Sequence, residues 1–123
     1  MPYQLIVEPG FIRIAFSGLV TAQDLRALAD AATALEAADP VTPRVLTDLT
    51  RVVEYDLDFS KVYELAVRRR ASPLVTPIRS AIVASHPASI GFAHMYQTLN
   101  NHPQIEIRIF SGVAEAEAWL MSE

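Results

Sequence analysis

A chain of 123 residues, 51% apolar and 20% charged, has the size and composition of one globular domain, which excludes a low-complexity linker or disordered tail. The absence of cysteine removes disulfides, thiolate metal sites and thiol nucleophiles, and a net charge of −4 argues against nucleic-acid binding. No apolar run approaches the roughly 18 residues of a membrane span, and the opening residues read as strand rather than leader, so a soluble, cytoplasmic single domain over 1–123 is expected.

Tyr3 to Glu8 and Phe11 to Ser17 alternate apolar with polar residues. Pro9-Gly10 between them has the fixed and the positive φ of a tight turn, which predicts a hairpin whose second strand Gly18 breaks. Thr21-Ala-Gln-Asp24 has the spacing of a capping box, with Asp in place of Glu, and opens a helix with Leu25, Leu28, Ala29, Ala32 and Leu35 on one face. Asp39-Pro40 ends it, and Pro40 and Pro43 lead rigidly into a strand from Arg44 to Leu49.

Thr50 to Leu57 reads as a loop, unless Val52-Val53 extends the strand. Asp58 is placed to cap a second helix that runs to about Arg70, with Leu57 and Val62 at staple positions; Ser72-Pro73 and Pro77 forbid its continuation. Ile78 to Ser85 is a short, largely apolar, central strand. Pro87 suits the first turn of a third helix, in which Ala88, Phe92, Met95 and Leu99 share a side, and Asn100 to Pro103 closes it. Gln104 to Phe110 alternates cleanly, with Ile105, Ile107 and Ile109 on one face. Gly112 starts a last helix carrying Val113, Ala116, Trp119 and Leu120, in which Trp119 is expected to hold the helix against the sheet. The fold class is therefore α/β, in the order β-β-α-β-α-β-α-β-α, with a mixed, mainly parallel five-stranded sheet and four helices.

This order, with the Glu8-Pro9-Gly10 turn, the Asp48-Leu49-Thr50 strand end, the segment from Tyr96 through His102 to Phe110, and the closing Ala116 to Leu120, resembles the STAS domain of bacterial anti-sigma-factor antagonists. It is most similar to the small STAS/SEC14-like bacterial proteins of that superfamily. The resemblance implies a regulatory module that docks to a protein partner. The related lipid-transfer (CRAL-TRIO) domains imply the alternative of a small apolar ligand or lipid. In the antagonists a phosphorylatable Ser precedes the second helix; here Leu57 stands at that position, so no phospho-switch is expected.

Other chemistry is sparse. Asp48, Glu54, Asp56 and Asp58 follow a central strand, where ligands often meet an open sheet, but their spacing fits no compact calcium loop and Asp58 has a cap to make. His86, His94 and His102 lie eight apart, about 80° past two helical turns, and do not converge on an ion. No nucleophile elbow and no glycine-rich phosphate loop is present, so no enzyme, metal or cofactor is expected. Arg68-Arg69-Arg70 complements the carbonyl end of its helix, and sweeps far enough around the axis for one arginine to face a neighbour or an anion. Gly91 permits close backbone approach, and Phe92, Met95, Tyr96 and Leu99 form a stripe that fits core, pocket or interface.

The residues singled out as a ligand or partner surface are Asp56, Leu57, Asp58, Arg69, Phe92, Met95 and Tyr96. An apolar cavity beside Phe92 and Tyr96 would favour a ligand, and a filled core with an exposed apolar patch a protein partner. The alternating strands at both ends of the chain leave sheet edges for which a homodimer is an expected cover.

Overall fold

The computed structural model describes residues 3–38, 44–71, 77–100 and 102–122, without the side chains of 36–38, Phe59 and Arg70. Strands β1 (Tyr3–Glu8), β2 (Phe11–Thr21), β3 (Arg44–Asp56), β4 (Ile78–Val83) and β5 (Ile105–Phe110) alternate with helices α1 (Ala22–Ala38), α2 (Phe59–Arg70), α3 (Pro87–Leu99) and α4 (Val113–Met121) after the opening hairpin. The strands lie in one sheet in sequential order. β1 is antiparallel to β2, and the remaining pairs are parallel. Sequential order has a consequence: right-handed crossovers that always step the same way place α1, α2 and α3 on one face. The other face is left to α4, which packs on β3, β4 and β5.

Local chemistry sets the element ends. Gly10 has φ +92°, the left-handed conformation that the hairpin turn demands. The Thr21 capping box is made in both directions, Thr21 N–H donating to Asp24 Oδ2 (2.8 Å) and Asp24 N–H to Thr21 Oγ1 (3.3 Å). Asp58 caps α2 through Lys61 N–H. His86 Nδ1 accepts from Ala88 N–H at the start of α3, where Pro87 occupies the first turn. Asp39-Pro40 and Ser72-Pro73, expected to end α1 and α2, and Pro43, expected to lead into β3, lie outside the described residues.

Two strands are longer than the sequence suggested. Gly18 does not break β2: it takes φ +68° at an irregularity in the pairing with β3, and the strand continues to Thr21. Thr50 to Asp56 is not a loop but the second half of β3: Arg51 and Val52 pair with Ser17 and Gly18, and, past a register shift that skips Val53, Glu54 to Asp56 pair with Leu19 to Thr21. This two-stranded extension reaches past β4, which pairs only with Val45 to Asp48 and ends at Val83, two residues short of Ser85. Gly91 brings no backbone close, since a Cβ added there would meet nothing within 4 Å.

The α4 face is filled. Phe11, Leu46, Ala81 and Val83 from the sheet meet Ala116 and Leu120 from the helix, all buried. Trp119 does lie against β5, its ring 5.7 Å from Phe110, but it is half-buried, and Arg79 and Arg108 sit over the ring at 5.3 and 5.2 Å. Arg79 also donates to the carbonyls of Trp119 and Ser122, and Arg44 to those of Leu120 and Ser122. Both guanidiniums thus satisfy the carbonyls that a helix C-terminus leaves open. Arg13 ties the hairpin to the same helix, bonding Glu8 (3.1 Å) and Glu117 (3.0 Å); the bond to Glu8 holds its pKa above the ordinary arginine value.

Candidate functional site

The three-helix face is covered but not filled. A cavity of about 140 Å³ lies between α1, α2, α3 and the middle of the sheet. Its origin is legible in the strand register. One row across the sheet reads Ile12, Val45, Ser80, Ile107, and the next reads Ile14, Thr47, Ile82, Ile109. Each row is branched and apolar except at one inner strand, where Ser80 or Thr47 stands. Across the cavity, α1 contributes Ala29 and Ala32. Small residues on both sides leave a void that three helices bridge without filling.

Phe92 and Tyr96 of α3 and Arg69 of α2 line this cavity, so three of the residues singled out in the sequence converge there. Four do not. Met95, one step round the helix, is half-buried but not on the cavity wall. Asp56 is exposed at the end of β3. Leu57 packs against the adjoining core, and Asp58 is occupied as a cap. The hydroxyl of Ser60 (2.8 Å) and Lys61 N–H hold the Asp58 carboxyl below the usual range. Asp48 is likewise used locally, accepting from the backbone and hydroxyl of Thr50. Among the described residues no group of three or more His, Asp or Glu gathers as a metal site.

Polar groups in and beside the cavity are few and mostly engaged. Buried Asn100 donates from Nδ2 to Tyr96 Oη (3.2 Å) and accepts from His102 N–H. Above the cavity, Tyr55 stacks on Phe92 with ring centroids 5.3 Å apart and shares a 2.6 Å hydrogen bond with buried Ser89. Burial pushes the Tyr55 phenol up, and the Ser89 bond offsets part of that rise. At the rim, Arg68 of α2 donates to Asp30 of α1 (2.7 Å). In the sequence Ala29 and Ala32 stand out only as part of an apolar helix face, and Thr47 and Ser80 not at all; that they border one void appears only once helix and strands are assembled.

No protein-family model and no curated protein matches the chain. Among solved structures, an uncharacterized protein of the DUF3478 family from Shewanella loihica PV-4, described as having a SpoIIAA-like fold, superposes with a TM-score of 0.63 at 15% identity. The match covers 96% of this chain and 91% of that one. The five-stranded mixed sheet and its four helices therefore form a SpoIIAA-like α/β fold, that of the STAS domain and the anti-sigma-factor antagonists.

Proposed function

We propose that the chain is a non-catalytic binding module whose ligand is a small, mainly apolar molecule held between the three helices and the sheet. One observation carries this: the cavity of about 140 Å³ bounded by Ile14, Phe16, Leu28, Val45, Ile82 and Phe92. A dry apolar cavity of about 150 Å³ is large enough to take up benzene. The test is a heteronuclear NMR titration with a neutral ring probe, 2-phenylethanol. Shift changes should cluster at Ala32, Phe92 and Tyr96 and vanish in Ala32→Leu, which fills the space. Changes scattered over the surface, or unaltered by Ala32→Leu, would remove the reading.

A second reading, protein contact, is favoured by the extension of β2 and β3 past β4, where Val53 is 81% and Leu19 46% exposed. The homodimer belongs to this reading, because β1 and β5 are the sheet edges. Sedimentation equilibrium decides the dimer. A single species near the 13.6 kDa of one chain, unchanged on tenfold concentration, rules it out.

A further inference from the structure

We infer that the ligand carries an acidic group, and that Arg68 and Arg69 read it at the end of α2. This rests on the cavity being a ligand site. It commits to one chemistry: a single carboxylate attached to an apolar body of about six carbons, the size that a cavity of this volume admits.

The charges around the cavity carry the argument. The chain has 14 acidic and 10 basic residues, yet no carboxylate lines the cavity among the described residues, whereas Arg68 and Arg69 both do. A second pocket of about 160 Å³ between α1 and α2 adjoins it and shares Leu25, Ala29, Leu65 and Arg68 with its wall. That pocket adds Arg26 and Lys61, the lysine lying 3.9 Å from the single acid Glu64. Four of the ten basic residues therefore border two adjoining spaces in a chain of net charge −4. Arginines in a last helical turn are expected from the helix dipole alone. The dipole does not explain why, among the described residues, the cavity wall has cations and no carboxylate.

Arg68 also supplies the exchange that binding needs. Its bond to Asp30 crosses from α2 to α1 at the rim, and both side chains are substantially exposed, at 43% and 72%. Ion pairs this exposed contribute little to stability. An entering carboxylate can replace Asp30 on the guanidinium while its apolar body enters the space beneath Leu28 and Phe92. Half-buried Arg69 lines the same wall.

The experiment compares phenylacetate and hexanoate with the neutral 2-phenylethanol by calorimetry and NMR at low salt. Phenylacetate should bind roughly tenfold more tightly than the alcohol, as one charge-assisted hydrogen bond supplies. Hexanoate separates a chain from a ring as the apolar body. The preference of acid over alcohol, taken within each variant, should fall toward parity in Arg69→Gln and Arg68→Gln, weaken with added salt, and survive in part in Arg69→Lys. If acid and alcohol bind equally to the unaltered protein, the inference fails and the cavity reading stands. If none of the three perturbs the cavity residues, both fail. Should Arg69→Gln not fold, Arg68→Gln and the salt dependence decide it: an acid preference indifferent to both overturns the assignment.

Discussion

The two faces of the sheet use opposite means of holding their helices. The face with one helix is the better packed. α4 is short and its Gly112 makes no side-chain cap, yet Leu120 and Ala116 are fully buried and two arginines from the sheet grip the final carbonyls. The face with three helices has much more cover, and each of those helices carries its own side-chain cap, from Thr21, Asp58 or His86. There the cavity remains. Number of elements and quality of packing are separate variables: a helix fixed by local caps can stand over a void, whereas an uncapped one depends on its contacts.

Truncation is the severest way to probe this difference. Leu120→Ala should cost about 2–5 kcal/mol, because neighbours clamped around it collapse poorly. Trp119→Ala should cost about 2–3 kcal/mol, below the range for fully enclosed aromatics, since its ring is half open to solvent and arginines. On the other face, Leu28→Ala should cost only about 1–2 kcal/mol, because that side chain borders empty space and forfeits fewer contacts. Urea denaturation of the three variants checks the order. A loss at Leu28 equal to that at Leu120 would mean that the cavity is closed in solution.

Overfilling sharpens the comparison with a matched pair. Ala116→Leu forces a larger side chain into a filled interface and should cost about 1–3 kcal/mol. The same change at Ala32 enters the cavity and should cost nothing, or stabilise by up to about 1 kcal/mol through added burial. Equal penalties at the two alanines would contradict the distinction between the faces.

How much of this was legible beforehand depended on the range of the interaction. The Thr21 box, the Asp58 cap, Pro87 and the Pro9-Gly10 turn act within four residues, and their side-chain chemistry announces them. In the sequence the second half of β3 resembles a loop that Val52-Val53 could turn into strand, because Arg51, Glu54 and Asp56 interrupt its apolar pattern. It is strand because β2 continues beside it through the irregularity at Gly18, a partner about 35 positions away in the chain. The candidate site divides in the same way. Phe92, Tyr96 and Arg69 stood out by type, whereas Ser80 looks like any polar strand residue until its row is assembled from four strands.

The dependence of the three-helix face on caps can be tested by acid. In the folded state the Ser60 hydroxyl and Lys61 N–H favour the Asp58 carboxylate and lower its pKa. A lowered folded pKa stabilises the protein above the unfolded value of about 3.9. That contribution is lost as the pH falls through the folded value. Asp58→Asn should therefore flatten the acid limb of the stability curve. Ser60→Ala, which removes the largest cause of the shift, should move the Asp58 pKa back up in an NMR titration. An unmoved pKa would show that the Ser60 hydroxyl does not bond the Asp58 carboxylate in solution.

The smallest expected effect has the opposite sign. Gly91 lies inside α3, exposed, with helical backbone and nothing within 4 Å of where a Cβ would project. A glycine there weakens the helix through backbone entropy without serving a close approach or a left-handed turn. Gly91→Ala should stabilise the protein by about 0.5–1 kcal/mol, mainly by restricting the unfolded chain. Gly10→Ala makes the control: the added methyl would meet Met121 at 3.1 Å and force a positive φ, so that variant must lose stability. Because a methyl added at Gly91 would touch neither cavity wall nor sheet, its gain should appear in full whether or not a ligand is bound. A gain that disappears when the cavity is occupied would mean that α3 tightens on binding, and that its looseness in the empty protein is coupled to the void beneath it.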